Sequence, residues 1–140
     1  MELPDEVIVL AKTAYGEARG SCDDEVRGVC QVILNRVNKP GWWGRDIISV
    51  CYHPYQFSCW NKDDPNRAIL LEVTFDDKDF QRVLGLALQV YSGKYLNKVG
   101  KATNYHTQKN PIPGEMWPPT WTRSMHLIAV LQDHLYYVEK

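Results

Sequence analysis

Apolar residues recur every three or four positions in three stretches of the chain, the spacing of a helix that buries one face. The first stretch ends before Gly20, and the second runs to about Asn38, just before Pro40. Ser21 and Asp24 have the spacing of a capping box, which predicts where the second helix begins. The pattern therefore predicts two amphipathic helices joined by a short turn.

A third helix is predicted from about Asp79 to Ser92, with Gly93 as its C-cap. Between the second and third helices, residues 41–67 crowd aromatic side chains among Gly, Pro, Asn and Asp. This composition is typical of loops, and we predict a loop or short hairpin there instead of helix.

The C-terminal third of the chain has a different pattern. Residues 102–119 are rich in turn-forming and aromatic residues, whereas residues 127–131 and 135–138 read as two short strands around a turn. The predicted fold class is therefore α+β, with a mainly helical body, a small β element and two aromatic loops that flank a groove.

Composition limits the classes of partner. At 140 residues with 44% hydrophobic and 11% aromatic content, residues 1–140 are expected to form one globular domain. The net charge of −1 gives no electrostatic footprint for nucleic acid or an anionic membrane. No apolar run approaches the ~20 residues that cross a bilayer. We expect a monomer that binds neither nucleic acid nor membrane.

The N-terminus and the cysteines bear on the cellular compartment. Residues 1–6 are acidic and do not resemble a signal peptide, so synthesis in the cytoplasm is expected unless a leader was removed. We expect free thiols in that compartment, with one or more disulfides as the alternative. The four cysteines are Cys22, Cys30, Cys51 and Cys59.

Glu17 is the leading candidate for chemistry because it lies in the last turn of the first predicted helix, at the margin of the apolar stripe. Partial burial and the negative end of the helix dipole would raise the pKa of its carboxyl, whereas Arg19 would lower it. Cleavage of a glycosidic bond needs a general acid that stays protonated near neutral pH. The alternative is a surface glutamate near a helix end.

Two segments, residues 53–58 and 102–106, carry side chains suited to holding a polysaccharide. Amides and hydroxyls can bind N-acetyl and hydroxyl groups, and flat rings can pack against pyranose faces. The polar candidates are Gln56, Ser58, Thr103, Asn104 and Tyr105, and the ring candidates are Trp60, Trp117 and Trp121. For each ring the alternative is core packing.

Several segments, in order along nearly the whole chain, resemble the cell-wall hydrolase family, which includes the catalytic domain of the spore-cortex lytic enzymes and several phage endolysins. The most specific are Y-G-E-A-R-G at residues 15–20 and V-I-L-N-R-V at residues 32–37, followed by residues 53–58 and 102–106. A weaker likeness continues through residues 119–121 and 134–136. The resemblance implies a lysozyme-like fold with a substrate groove and cleavage of peptidoglycan between N-acetylmuramic acid and N-acetylglucosamine. A single domain with no leader and no separate wall-binding repeat fits a phage endolysin that acts on the wall after release. A secreted autolysin whose leader was trimmed is the alternative setting.

The resemblance also implies residue roles. The family's catalytic glutamate falls on Glu17, and its Q-F-S/T loop falls on Gln56, Phe57 and Ser58. The A-Y-N element of lytic transglycosylases falls on Thr103, Asn104 and Tyr105. Trp60 and Trp121, selected for their rings and not through the resemblance, complete the expected substrate-binding residues. Many family members have a second glutamate directly after the glycine, where this chain has Ser21, so the role of that second acid does not carry over to this position.

The number of available acids favours one mechanism. An inverting or retaining hydrolase normally uses two carboxylates, whereas a lytic transglycosylase needs a single acid that later acts as a base. We therefore favour a lytic transglycosylase, with a hydrolytic muramidase as the alternative. A muramidase would draw its second carboxylate from Asp23, Asp24 or the pair Asp63 and Asp64. These aspartates, and Asp46, are more simply solvated loop or cap residues.

Other functions are weighed against this one. A cysteine amidase or peptidase would use Cys51 or Cys59 with His53 or His106, but neither cysteine is expected at a helix N-terminus, where a thiol pKa falls. The histidines lack the H-E-x-x-H spacing of zinc hydrolases, and we expect no metal and no cofactor. A wall-binding module without catalysis is the remaining alternative, and it would not need Glu17.

Overall fold

The structure is a computed structural model that describes residues 2–108 and 117–140. The helices in these residues are α1 (Asp5–Ala18), α2 (Asp23–Asn38), α3 (Ile47–Tyr52), α4 (Pro65–Glu72) and α5 (Lys78–Tyr91). The strands are β1 (Asn104–Thr107), β2 (Met125–Leu131) and β3 (His134–Glu139). Two short 3-10 helices cover Ser58–Trp60 and Thr120–Ser124.

Helices α1, α2 and α5 pack against one another and form most of the core. Leu10, Ile33, Phe80 and Val83 are buried where the three apolar faces meet. The three helices predicted from periodicity are confirmed, and α5 begins and ends within one residue of the predicted limits. Gly93 follows the C-cap with a φ of 74°, a left-handed conformation that glycine adopts without a steric penalty.

The predicted capping box at Ser21 and Asp24 is wrong. Helix α2 begins at Asp23, its N-cap is Cys22, and no side chain caps it. The backbone N–H of Ser21 instead donates to the carbonyl of Ala18 at the end of α1, which uses Ser21 to close the turn between the helices. Acidic residues in the first turn of α2 supply favourable interactions with the helix dipole in place of the cap.

The prediction of loop for residues 41–67 is correct for only part of the segment, because α3, a 3-10 helix and the start of α4 lie there. Each of these elements is too short for its apolar residues to show a helical period, so the aromatic and polar composition suggested a loop. The caps were the readable signal: Asp46 forms a capping box with Ser49, and Asp64 accepts from the N–H of Asn66 beside Pro65 at the first position of α4.

Strands β1, β3 and β2 form an antiparallel sheet in that order, with Tyr105 paired to Tyr136. The two predicted C-terminal strands are confirmed, and the third strand, β1, lies in the stretch that we predicted as turns. The sheet packs on α2 at Gly28, where an added Cβ would lie 2.5 Å from the Tyr136 hydroxyl oxygen. The mainly helical α+β fold with a small sheet is thereby confirmed.

A buried glutamate ties α2 to the turn between β2 and β3. The Glu25 side chain has no solvent exposure, and its Oε1 accepts a hydrogen bond from the N–H of Asp133. Its Oε2 lies 2.9 Å from Nδ1 of the buried His134, although the angle is not that of a directed hydrogen bond. His134 is part of this connection.

The four cysteines are free, with Cys22 exposed and the other three buried. Within residues 2–108 and 117–140, no helix is long and apolar enough to span a bilayer.

Candidate active site

A cleft of about 450 Å³ lies between the end of α1, the segment after α3 and the small sheet. Its lining residues are Glu17, Arg36, Trp42, Tyr55, Gln56, Phe57, Asn104, Tyr105 and Trp121. Six of them were expected from the sequence to form the site. The fold thus brings together side chains that are separated by more than a hundred positions in the chain.

Glu17 lies half-buried at the edge of this cleft, and the hydroxyl of Tyr105 donates to its Oε1 at 3.0 Å. Burial raises the pKa of the Glu17 carboxyl. Hydrogen bonds from Tyr105 and Cys59 lower that pKa and the negative charge of Asp64 raises it, but burial is the largest effect. The net direction, which the sequence left open, is the one that a general acid needs.

The close approach of Cys59 explains the glycine before Glu17. A Cβ at Gly16 would lie 2.7 Å from the Cβ and 2.8 Å from the Sγ of Cys59. Any larger residue would push the 3-10 helix at Ser58–Trp60 away from α1. The glycine therefore allows the loop that carries Gln56 and Phe57 to lie against the helix that carries Glu17.

Arg36, which was not predicted as a site residue, joins the two loops of the site. Its Nε donates to the Thr103 carbonyl at 2.7 Å, and its Nη1 lies 3.4 Å from Oε1 of Gln56. The guanidinium packs over the Phe57 ring, 5.4 Å from the centroid. Its place on the buried face of α2, in the I-L-N-R segment, was the signal that could have identified it.

Tyr105 is held from behind by other aromatic side chains. Its ring contacts His134 edge-on at 5.3 Å and the ring of Tyr136 at 5.9 Å. Burial, followed by the charge of Glu17, raises the pKa of Tyr105 well above its ordinary value. The hydroxyl therefore stays protonated and remains a donor to Glu17.

Three expected substrate-binding residues do not line the cleft. Ser58 is exposed in the 3-10 helix, and the hydroxyl of the buried Thr103 donates to Oδ1 of Asn104 at 3.0 Å. The Trp60 indole N–H donates to the Thr13 hydroxyl at 2.9 Å, and its ring lines a neighbouring groove. Trp117, a further ring candidate, packs edge-on against His106.

The sequence did not predict two exposed aromatic rings that line the cleft. Trp42 is 61% exposed and Tyr55 is 83% exposed, and both lie in the segment that was predicted as loop. Their aromatic character was visible in the sequence, but their position relative to Glu17 depends on where α3 begins and ends. Neither residue was among the predicted substrate-binding residues.

The structure offers no support for a thiol nucleophile or, within the described residues, for a metal centre. Burial raises the pKa of Cys51 to about 12 and raises that of Cys59 as well, so both thiols are poor sources of thiolate. No group of three or more His, Cys, Asp or Glu side chains in residues 2–108 and 117–140 could hold a metal ion.

The aspartates that a two-carboxylate mechanism could use lie elsewhere. Asp23 pairs with Arg82, and Asp24 pairs with Arg27 and Lys98. Asp46 and Asp64 cap α3 and α4, and Asp63 lines the neighbouring groove. Among the residues that line the cleft as described, Glu17 is the single carboxylate.

Comparison with known proteins places the chain in a family. The sequence profile described as Cell Wall Hydrolase matches residues 21–137, so the chain belongs to the cell wall hydrolase family. Glu17 lies just before the matched segment, and its importance therefore depends on the geometry of the cleft. No curated protein matches the chain significantly.

Solved structures with a similar fold include the catalytic domain of the germination-specific lytic transglycosylase SleB from Bacillus anthracis. That domain has a TM-score of 0.70 and 18% identity, with 98% of this chain and 97% of that chain covered. The catalytic domain of the Bacillus cereus SleB protein has a TM-score of 0.67 and 20% identity, with 98% and 93% covered. At these identities the likeness establishes the fold.

Proposed function

We propose that the protein is a peptidoglycan lytic transglycosylase that cleaves the β-1,4 bond between N-acetylmuramic acid and N-acetylglucosamine. The observation that carries the proposal is the isolation of Glu17 as the one carboxylate lining the described cleft, with burial raising its pKa. Family membership and the fold shared with the SleB catalytic domains support the substrate and the reaction type.

The reaction needs Glu17 twice. Protonated Glu17 donates its proton to the glycosidic oxygen as the bond to C1 of the muramic residue breaks. The resulting carboxylate then removes the proton from the C6 hydroxyl of the same residue, and the C6 oxygen bonds to C1 to close a 1,6-anhydro ring. The attacking hydroxyl belongs to the substrate, so the step gains from proximity and consumes no water.

The other side chains of the cleft hold the substrate or the acid. Tyr105 orients the Glu17 carboxyl through its hydrogen bond, and Gln56 and Asn104 offer amides to N-acetyl and hydroxyl groups. The rings of Trp42, Tyr55 and Trp121 offer flat faces for pyranose rings. Thr103 acts through Asn104, and Arg36 fixes the two loops.

Mass spectrometry of the sugar products from purified peptidoglycan tests the proposal. Products that end in 1,6-anhydro-N-acetylmuramic acid are expected. Reducing-end muramic products, one water heavier, would identify a hydrolytic muramidase and contradict the one-acid mechanism. Cut peptides with intact glycan strands would contradict the glycosidase assignment itself.

For the biological setting we propose an endolysin-type protein that acts on the bacterial wall after release. The proposal rests on the family's action on cell walls and on the motif resemblance to phage endolysins. Lysis of chloroform-permeabilised bacteria by added protein, with intact cells of the same strain unaffected, is the expected result.

A further inference from the structure

A second groove lies beside the Glu17 cleft and shares Tyr55 with it. This second groove has a volume of about 470 Å³, and its lining includes Tyr52, Tyr55, Trp60, Asn61, Lys62 and Asp63. A third concavity of about 310 Å³ continues past Tyr52 and Trp60. The three concavities are neighbours: Tyr55 lines the Glu17 cleft and the second groove, and Tyr52 and Trp60 line the second groove and the third concavity.

Tyr55, between the cleft and the second groove, has two unfavourable features. Its φ is 64°, in the left-handed region that costs free energy for a residue other than glycine, and its ring is 83% exposed. Neither feature adds to the core. Both place a flat ring at the boundary between the cleft and the second groove, where a bound ligand would cover it.

The aromatic wall of the second groove is preordered. The indole N–H of Trp60 donates to the Thr13 hydroxyl of α1, which fixes the Trp60 ring. Tyr52 packs edge-on against that ring at 4.8 Å and stays 47% exposed. A ligand that stacks there would lose little side-chain entropy in the protein on binding.

The chemistry of the second groove favours sugar over peptide. Its Lys62 and Asp63 have opposite signs, so the groove offers no net charge to select the carboxylates of a peptide stem. Aromatic faces beside the amide of Asn61 suit neutral N-acetylated pyranoses, which present an apolar face and polar edges.

We propose that the second groove binds the continuation of the glycan strand, on the far side of Tyr55 from Glu17, and so sets a preference for long strands. This inference rests on the proposed function for the identity of the substrate. It also assigns Trp60 to strand binding at a distance from the bond that is cut, which explains why it does not line the Glu17 cleft.

The experiment compares Tyr52→Ala and Tyr52→Leu with the wild type on peptide-free glycan strands, prepared with an amidase and sorted into short and long fractions. Tyr52 lines the second groove and not the Glu17 cleft. The ratio of kcat/KM on long strands to that on short strands is expected to fall about two- to tenfold in both variants. Circular dichroism checks that each variant folds.

Phe75→Ala is the matched control, because Phe75 is 56% exposed and lines none of the three concavities. Its ratio is expected to equal that of the wild type. An unchanged ratio in both Tyr52 variants would overturn the proposal. A fall that occurs only on strands that retain their peptide stems would overturn it in favour of a stem-binding groove.

Calorimetric titration of the Glu17→Gln variant with the same peptide-free strands separates this inference from the proposed reaction. If the wild type cleaved no glycan strand but Tyr52→Ala weakened binding of long strands to the Gln variant, the reaction would fail and the groove would stand. If the wild type cleaved the strands but the Glu17→Gln variant bound short and long strands equally well, the proposed reaction would stand and the second groove would fail.

Discussion

The two helices of the α1–α2 hairpin each carry a glutamate that reaches toward the sheet, and the two carboxyls have opposite surroundings. Glu17 lies half-buried at an open cleft with Tyr105 as a hydrogen-bond donor. Glu25 is fully buried, with the N–H of Asp133 on one oxygen and His134 beside the other. Tyr105 lies between the two glutamates, with its hydroxyl on Glu17 and its ring against His134.

The different surroundings of Glu17 and Glu25 show how one small sheet can contribute both to stability and to chemistry. A carboxyl that faces a cleft can exchange a proton with a ligand, whereas one enclosed by a turn and a histidine can only hold structure. Glu25 fixes the β2–β3 turn to α2, and this turn carries His134 to the back of Tyr105. We therefore expect Glu17 to be needed for activity and Glu25 for stability.

Replacement of Glu17 is the largest expected effect on activity. Glu17→Gln keeps the shape and removes the proton donor, so the rate on peptidoglycan should fall about two to four orders of magnitude. The variant should unfold as cooperatively as the wild type in a urea titration. Retained activity in Glu17→Gln would point to a binding module with a contaminating enzyme, or to a different catalytic group.

Replacement of Glu25 should show the reverse pattern. Glu25→Ala leaves the N–H of Asp133 and the side chain of His134 without their buried partner, and a buried polar group left without a partner costs about 1–3 kcal/mol. Urea unfolding measures this loss of unfolding free energy. Glu25→Gln, which keeps an acceptor for Asp133, is the milder control. If Glu25→Ala lost as much kcat per folded molecule as Glu17→Gln does, Glu25 would not have a purely structural role.

Tyr105→Phe tests the contact between the two systems. The hydroxyl of Tyr105 lowers the Glu17 pKa, so its removal should raise that pKa further and move the alkaline limb of the kcat–pH profile to higher pH. Packing against His134 and Tyr136 should be retained, and the thermal midpoint should change little. An unmoved alkaline limb would mean that this hydrogen bond does not affect the acid.

The smallest expected effect is a pH dependence of stability. Because the native pKa of Glu17 lies above its ordinary value of 4.5, the native state binds its proton more tightly than the unfolded chain does. The stability contributed by Glu17 is therefore complete below pH 4.5 and is lost as the pH rises through the native pKa. Relative to the wild type, Glu17→Gln should become more stable across that window and then level off. A constant difference from pH 4 to pH 8 would contradict the raised pKa.

Sequence patterns predicted the long elements well and the short ones poorly. Helices α1, α2 and α5 each contain several turns, so their apolar periods stood out from the local composition. Helices α3 and α4 contain one or two turns, and strand β1 has four residues, so each lacks enough repeats to show a period. The prediction for these segments therefore followed their aromatic and polar composition. It did not use the helix N-caps at Asp46 and Asp64, which indicate where α3 and α4 begin.

The candidate site shows the same division. Glu17, Gln56 and Tyr105 were selected by residue type and motif, and the structure brings them into one cleft. Arg36 was passed over because an arginine on an apolar helical face has no pattern that indicates which carbonyl it will meet. Trp60 was placed at the site by type alone, but its hydrogen bond to Thr13 holds it in the second groove.

By itself, the sequence determined the three long helices and the C-terminal hairpin, because these follow from local periodicity. Its motif resemblance to the cell-wall hydrolase family selected Glu17 as the acid to test. Only the tertiary structure decided the direction of the Glu17 pKa shift, the meeting of Tyr105 with Glu17 and the enclosure of Glu25. Each of these depends on burial and on contacts between residues far apart in the chain, and desolvation exists only once the surrounding elements have packed.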